Sequence, residues 1–295
     1  MKILCLGDNN VDIYEDLGVV FPGGNTYNVA VYTAMNGCRS AWLGAVGNDQ
    51  NGRLQIDALK HFDIDASRHR VYQGQTAWAK VSIVNGDRIF MENYLEDEKQ
   101  NPIILDSSDM EYIRSFDLVH SSAYSYLKAD TLKKVRETGR KISYDFSVEW
   151  NEEVLRTICP HLDFGFLSLG SRKESEARDI LYLAYNCGCD IVVGTMGKRG
   201  SLLYDGKNFL RQKAYLVPSR DELGAGDSFI SKFLQCCLDG MLFRKSTERE
   251  AGITFESSDM DDYQEKLLCH SLSLAAVFSA RTCMTSGAFD YSVKL

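Results

Sequence analysis

The chain lacks several features that would direct it toward particular roles. It has no excess of positive charge: 33 Lys and Arg stand against 41 Asp and Glu, a formal net charge of −8. That balance argues against nucleic acid or an anionic membrane as a partner. An anionic ligand would need local donors and a cation. No run approaches the ~18 apolar residues of a membrane-spanning helix. Nine cysteines contain no C-x-x-C pair; Cys187 and Cys189 are one residue apart, and Cys236 and Cys237 are adjacent. Zinc spacing is therefore absent, and the cysteines read as reduced thiols of a cytoplasmic protein. The opening Met1-Lys2-Ile3-Leu4-Cys5-Leu6-Gly7 reads as a short buried strand rather than a signal peptide. No G-x-G-x-x-G follows it, which counts against a dinucleotide-dependent oxidoreductase. There is no internal repeat. His120 and His161 lie in or beside strands and read as structural.

What is present is a rhythm of strands and helices. Strands are expected at 2–7, 40–46, 118–121, 141–145, 164–167 and 190–194, with helices at 26–35, 52–62, 130–137, 152–158 and 174–185. Alternation of this kind favours an α/β fold, a mostly parallel sheet with helices on both faces. Strands at 202–204 and 209–212 flank Asp205-Gly206, a hairpin signal. The rhythm breaks at Thr76–Val84, which alternates as a strand, meets Asn85-Gly86, and returns through Arg88–Met91. With 13–21 as a further strand, this predicts a small β-sheet lid formed by roughly 12–23 and 75–95. The charged stretch from Gly240 to Asp261 reads as a surface excursion, and 263–278 as a buried helix.

Two glycine-rich breaks could carry chemistry. In Asp221-Glu222-Leu223-Gly224-Ala225-Gly226-Asp227-Ser228-Phe229, two glycines precede an apolar run. Glycine permits a tight turn, and a helix starting there would aim unpaired N–H groups at an anion. Asp227 would then lie in the first helical turn. It is either an ordinary N-terminal carboxylate or a base for an attacking hydroxyl. Pro22-Gly23-Gly24-Asn25 precedes the helix holding Asn28. Those glycines serve turn chemistry or the close approach of a sugar ring. The polar loop Gly7–Asp12 ends the first strand, at the edge where open α/β sheets bind ligands.

Together these elements resemble the ribokinase-like (PfkB) carbohydrate kinases, over nearly the whole chain. Gly23–Ala30 resembles the N-terminal signature, Gly224–Phe229 the C-terminal one, and Gly194–Gly197 with Gly200 the nucleotide loop. The resemblance implies one ribokinase-like kinase domain over 1–295, using ATP and Mg2+ on a small-molecule sugar. It implies Asp227 as general base and an anion hole of Gly224, Ala225 and Gly226. Asp12, Gly23, Gly24, Asn28 and Arg88 would hold the sugar. Thr195, Gly197, Gly200, Gly224 and Gly226 would lie by the nucleotide, with Glu174 behind the metal. Lid sheets in the family often pair, so a homodimer is an expected partner arrangement. Three positions depart from the pattern. Glu222 replaces the usual Thr, which leaves potassium activation open; Ser171 replaces an Asn; Asp145-Phe146-Ser147 replaces Asp-x-Asn. Within the family the likeness runs toward kinases of fructoselysine, through Gly7–Tyr14, Asp145–Ser147 with Trp150, and Pro160–Phe164. That implies transfer to the 6-hydroxyl of N-ε-fructosyllysine. Glu92, Arg88, Glu149, Tyr94, Tyr124 and Tyr126 are candidates for its lysyl part. A kinase of a simple ketose or nucleoside, or a non-catalytic sugar sensor, are the rival readings.

Overall fold

A computed structural model describes residues 1–84, 87–251 and 256–295, with side chains except at 83, 84, 87–90, 251 and 257. In chain order the elements are β1 (Lys2–Leu6), β2 (Asn10–Tyr14), β3 (Val19–Gly23), α1 (Asn25–Met35), β4 (Arg39–Leu43), β5 (Ala45–Gly47), α2 (Gln50–His61), β6 (Arg70–Tyr72), β7 (Trp78–Val84) and β8 (Asp87–Tyr94). Then come α3 (Glu96–Gln100), α4 (Ser107–Ile113), β9 (Leu118–Ser122), α5 (Ala129–Glu137), β10 (Lys141–Asp145), α6 (Glu152–Ile158), β11 (Phe164–Ser168), α7 (Glu174–Asn186) and β12 (Ile191–Thr195). The last are β13 (Ser201–Tyr204), β14 (Phe209–Gln212), α8 (Ala225–Ala251), α9 (Ser257–Thr282) and β15 (Val293–Lys294).

The large sheet runs β14-β13-β12-β11-β10-β9-β1-β4. Its strands from β12 to β4 are parallel, and β13 and β14 join antiparallel. Strands covered on both faces are apolar at every position. β1 obeys this: Ile3 and Cys5 enter the core under α1, α8 and α9, while Leu4 and Leu6 enter the opposite core with α4–α7. Strand side chains alternate, so a one-residue slip would exchange the two cores. The chain leaves β1 toward β4 and later fills the other side through β9. A crevice opens at that reversal, beyond the carboxyl ends of β1, β9 and β10.

The second sheet has the order β15-β3-β2-β7-β8 and forms the lid. The stretch 13–21 is not one strand. Gly18 takes a left-handed φ of 63° after a turn at Glu15–Leu17, and β2 folds back on β3. The Asn85-Gly86 turn lies outside the described residues, but β7 and β8 pair antiparallel around it. The charged stretch from Gly240 is also helical rather than an excursion. α8 continues to Ala251, and α9 begins at Ser257. Arg244 and Glu248 are four residues apart and pair at 3.6 Å, so these charges line a helix face.

Asp8 joins the fold to the site. It follows β1 and caps α1, accepting the N–H of Asn25 at 2.6 Å and of Thr26 at 3.3 Å. Ser122 and Ser125 also donate to it, at 2.7 and 3.0 Å. A carboxylate at a helix N-terminus is stabilised by the orphan N–H groups and the dipole. Asp8→Ala is expected to lower unfolding stability by about 2 kcal/mol, the upper range for a lost cap. Urea titration with an unchanged m-value checks this.

Candidate active site

Two cavities meet at the glycine turn. The first, of about 590 Å³, lies under the lid and includes Asp8, Asp12, Gly24, Asn28, Tyr124 and Asp227 in its wall. The second, of about 230 Å³, includes Thr195, Gly197, Gly200, Glu222, Ala225 and Gly226. Residues 222–227 thus stand between them, with Leu223 and Asp227 on one side and Ala225 and Gly226 on the other.

The turn is held by its own geometry. Gly224 has φ 74°, and a Cβ there would lie 2.5 Å from the Tyr32 hydroxyl, so only glycine fits. At Gly226 a Cβ would meet nothing within 4 Å; the glycine leaves open space that a ligand can fill. α8 starts at Ala225, which puts Asp227 in its first turn. The N–H groups of Gly224, Gly226 and Asp227 have no partner among the described residues. Ala225 N–H is engaged, donating to the Glu222 carbonyl at 3.3 Å. The free donors at this helix end are thus the N–H groups of 224, 226 and 227, two of them in the expected set 224–226. Asp221 ties the turn to the lid: it accepts from the Tyr14 hydroxyl and from Gly287 N–H, both at 3.1 Å.

Asp227 is held by α1. Asn28 donates to one of its oxygens at 2.7 Å. Asn25 donates to the other at 3.1 Å and also to Asp145 at 2.7 Å. Burial raises the Asp227 carboxyl well above the usual carboxylate range; Asp145, Asp8 and Asp12 add to the rise, and the Asn28 hydrogen bond opposes it. Burial also pushes Asp145 up to about 6, against the N–H of Ser147 and the Asn25 amide. Asp227 is thus hydrogen-bonded, desolvated and at the cavity wall, surroundings in which functional carboxyl groups cluster.

The other expected residues are distributed as follows. Asp12, Gly24 and Asn28 line the first cavity; Thr195, Gly197 and Gly200 line the second. A Cβ on Gly24 (φ 117°) would come within 2.4 Å of Asn9 Cα. Gly23 lies behind the wall, its carbonyl accepting from Gln55 at 3.2 Å. Arg88 belongs to β8, but its side chain is outside those described. Glu174 joins neither cavity; its oxygens pair with Arg178 at 2.9 Å and Arg211 at 2.7 Å. Glu92, Tyr124 and Tyr126 reach the first cavity. Tyr94 instead stacks on Trp78 with centroids 6.1 Å apart. Asp8, Asn25 and Glu98 were not singled out from sequence. Asp8 and Asn25 sit inside stretches that were, the polar loop after β1 and the Gly-Gly-Asn signature. Glu98 had no signal beyond a run of charge.

Asn28→Ala removes the donor that favours ionised Asp227. If Asp227 acts as base, the acid limb of the kcat/KM profile should move to higher pH, since loss of that bond raises the carboxyl further. Rates across pH 5–9 would read it.

Comparison with known proteins places the chain. The model for "pfkB family carbohydrate kinase" matches residues 6–249. The fructosamine kinase FrlD of Bacillus subtilis (strain 168) is 31% identical over 99% of this chain and 94% of its own. The fructoselysine 6-kinase of Escherichia coli (strain K12) is 34% identical over 79% of this chain and 88% of its own. Among solved structures, a fructokinase with bound ATP from Xylella fastidiosa superposes with a TM-score of 0.72, covering 98% of this chain and 94% of that one at 17% identity. The fold, the two cavities meeting at the glycine turn and these matches agree: the chain is an ATP-dependent carbohydrate kinase and belongs to the pfkB family.

Proposed function

We propose that this kinase transfers the γ-phosphoryl group of ATP to the 6-hydroxyl of a fructosamine, with N-ε-fructosyllysine as substrate. One observation carries the choice of sugar. The described wall of the first cavity holds the carboxyl groups of Asp8, Asp12, Glu92, Glu98 and Asp227 and no described lysine, arginine or histidine. Carboxylates can accept from any sugar's hydroxyls, but a wall with this excess of them also suits a ligand that brings a cation, as the secondary ammonium of a fructosamine does. The names of the relatives at 31% and 34% identity support the same reading.

In this mechanism the sugar lies under the lid, with its 6-hydroxyl at Asp227. ATP lies in the second cavity with its phosphates toward residues 224–227. The hydroxyl proton passes to the Asp227 carboxylate as the oxygen forms its bond to γ-phosphorus. The bond from γ-phosphorus to the β,γ-bridging oxygen breaks, and ADP leaves. The free N–H groups of Gly224, Gly226 and Asp227 take up charge on the transferring group. Asn25 and Asn28 keep the base aimed. Magnesium, when bound with ATP, neutralises phosphate charge. The ion would be held mostly by phosphates and water, with Glu222 the one carboxylate in the described wall of that cavity. Glu174, held between two arginines, would act only at a distance. The lid would exclude water, which competes with the hydroxyl.

The test is ADP release with ATP and magnesium across N-ε-fructosyllysine, fructose, ribose, adenosine and no sugar. Fructosyllysine should give the highest kcat/KM; equal or better turnover of fructose or ribose would defeat the substrate assignment. Asp227→Asn should lose at least ~10²-fold in kcat, the low end for a general base. Full activity in that variant removes Asp227 from its role.

A further inference from the structure

The acidic side chains of the sugar cavity are not equivalent. Asp8 is committed to α1 and two serines. Asp227 is held by Asn25 and Asn28. Asp12 accepts from Asn10 at 2.9 Å. Glu92 is 60% exposed and pairs with Lys80, which Glu15 shares. Glu98 differs. It stands on α3 at the cavity wall, half-buried, and has no ion-pair partner among the described residues. The nearby backbone N–H of Asn9 favours its ionised form. Its neighbour Lys99 places its ammonium 5.6 Å from the centroid of the Tyr126 ring and favours the ionised form of Glu98 without forming an ion pair with it.

The surrounding wall is suited to a cation with a carbon chain. Tyr124 and Tyr126 line the cavity beside Glu98. Tyr124 is fixed by its hydroxyl, which donates to Ser147 at 3.0 Å. Tyr126 presents its ring from a left-handed backbone conformation, φ 51°, uncommon for an aromatic residue. Its ring already accepts one ammonium, that of Lys99. Three further groups in the wall, the side-chain carbonyl oxygens of Asn9, Asn25 and Asn28, lack a hydrogen-bond donor among the described residues, and Asn9 and Asn28 are at least nine-tenths buried. Such groups are costly unless a ligand or water donates to them.

Resting on the fructosamine reading above, we propose that Glu98, with the rings of Tyr124 and Tyr126, is the subsite that binds the secondary ammonium of the substrate and sets the preference for fructosamines over neutral ketoses. The carboxylate would accept the ammonium N–H, and the rings would cover the first methylenes beyond it. Burial and the nearby Asp8 carboxylate push the free Glu98 up to about 8, against the Asn9 N–H and the Lys99 ammonium, and a bound cation would favour its ionised form further.

The experiment measures KM and kcat for fructose, N-fructosylmethylamine and N-ε-fructosyllysine in the wild type, Glu98→Gln and Tyr126→Leu. N-fructosylmethylamine carries the ammonium without the lysyl chain. Glu98→Gln should raise KM for both fructosamines roughly 10- to 100-fold, the span for losing a charge-assisted hydrogen bond. Its KM for fructose should not change. Tyr126→Leu, at a 43% exposed position that tolerates substitution, should raise KM for the fructosamines alone by a smaller factor. Equal losses on fructose and fructosamines would overturn the proposal and assign Glu98 to a sugar hydroxyl. No loss on any substrate would overturn it outright. If Glu98→Gln does not fold, the Tyr126→Leu ratio decides alone. A wild type that prefers fructose defeats the substrate assignment itself. A wild type that prefers fructosyllysine with an unresponsive Glu98→Gln defeats only this subsite.

Discussion

Two asparagine side chains on α1 hold a carboxylate that would otherwise be repelled from where it stands. Asp227 shares its surroundings with Asp145, Asp8 and Asp12, and burial opposes its charge as well. The amides of Asn25 and Asn28 are the described donors to its oxygens. They are in place because α1 starts immediately after Gly24, and α1 starts there because Asp8 caps it from the end of β1. A capped helix, a strand end and the Asp227 carboxylate are thus one connected unit. Loss of the cap would disturb the asparagines that donate to Asp227.

The glycine turn divides the two cavities and links them. Gly224 is packed against Tyr32 and Ala288 with no room for a side chain, while Gly226 opens onto the second cavity. Asp221, at the start of the turn, reaches the lid through Tyr14 of β2. The lid sheet is assembled from three parts of the chain, 10–23, 78–94 and 293–294. Lid sheet and glycine turn therefore share a hydrogen bond, a direct physical link between them.

Different parts of the architecture left different traces in the sequence. Buried strands are legible because both faces of a parallel sheet must be apolar. The turn at 224–226 is legible because few residues other than glycine suit it. The helical course through 240–251 was not. α8 packs along α9 partly through charged side chains, Arg244 pairing with Glu248 and donating to Met260 Sδ of α9, so its sequence reads as charge without an apolar stripe. Likewise Gly18 breaks the run 13–21 into two strands, a change that alternation alone does not mark.

By itself the sequence determined the α/β class, the position of the glycine turns, the place of Asp227 in a helix's first turn, and the family signatures. These depend on local backbone conformation and on residue type. Tertiary structure alone decided which acids surround which. Asp8 and Asp145, 137 positions apart in the chain, meet at Asn25 because β1 and β10 end at the same edge of the sheet. Glu98 reaches the sugar cavity only because α3 follows the lid back to the end of β1. Electrostatic character is a sum over neighbours in space, and no periodicity along a chain encodes it.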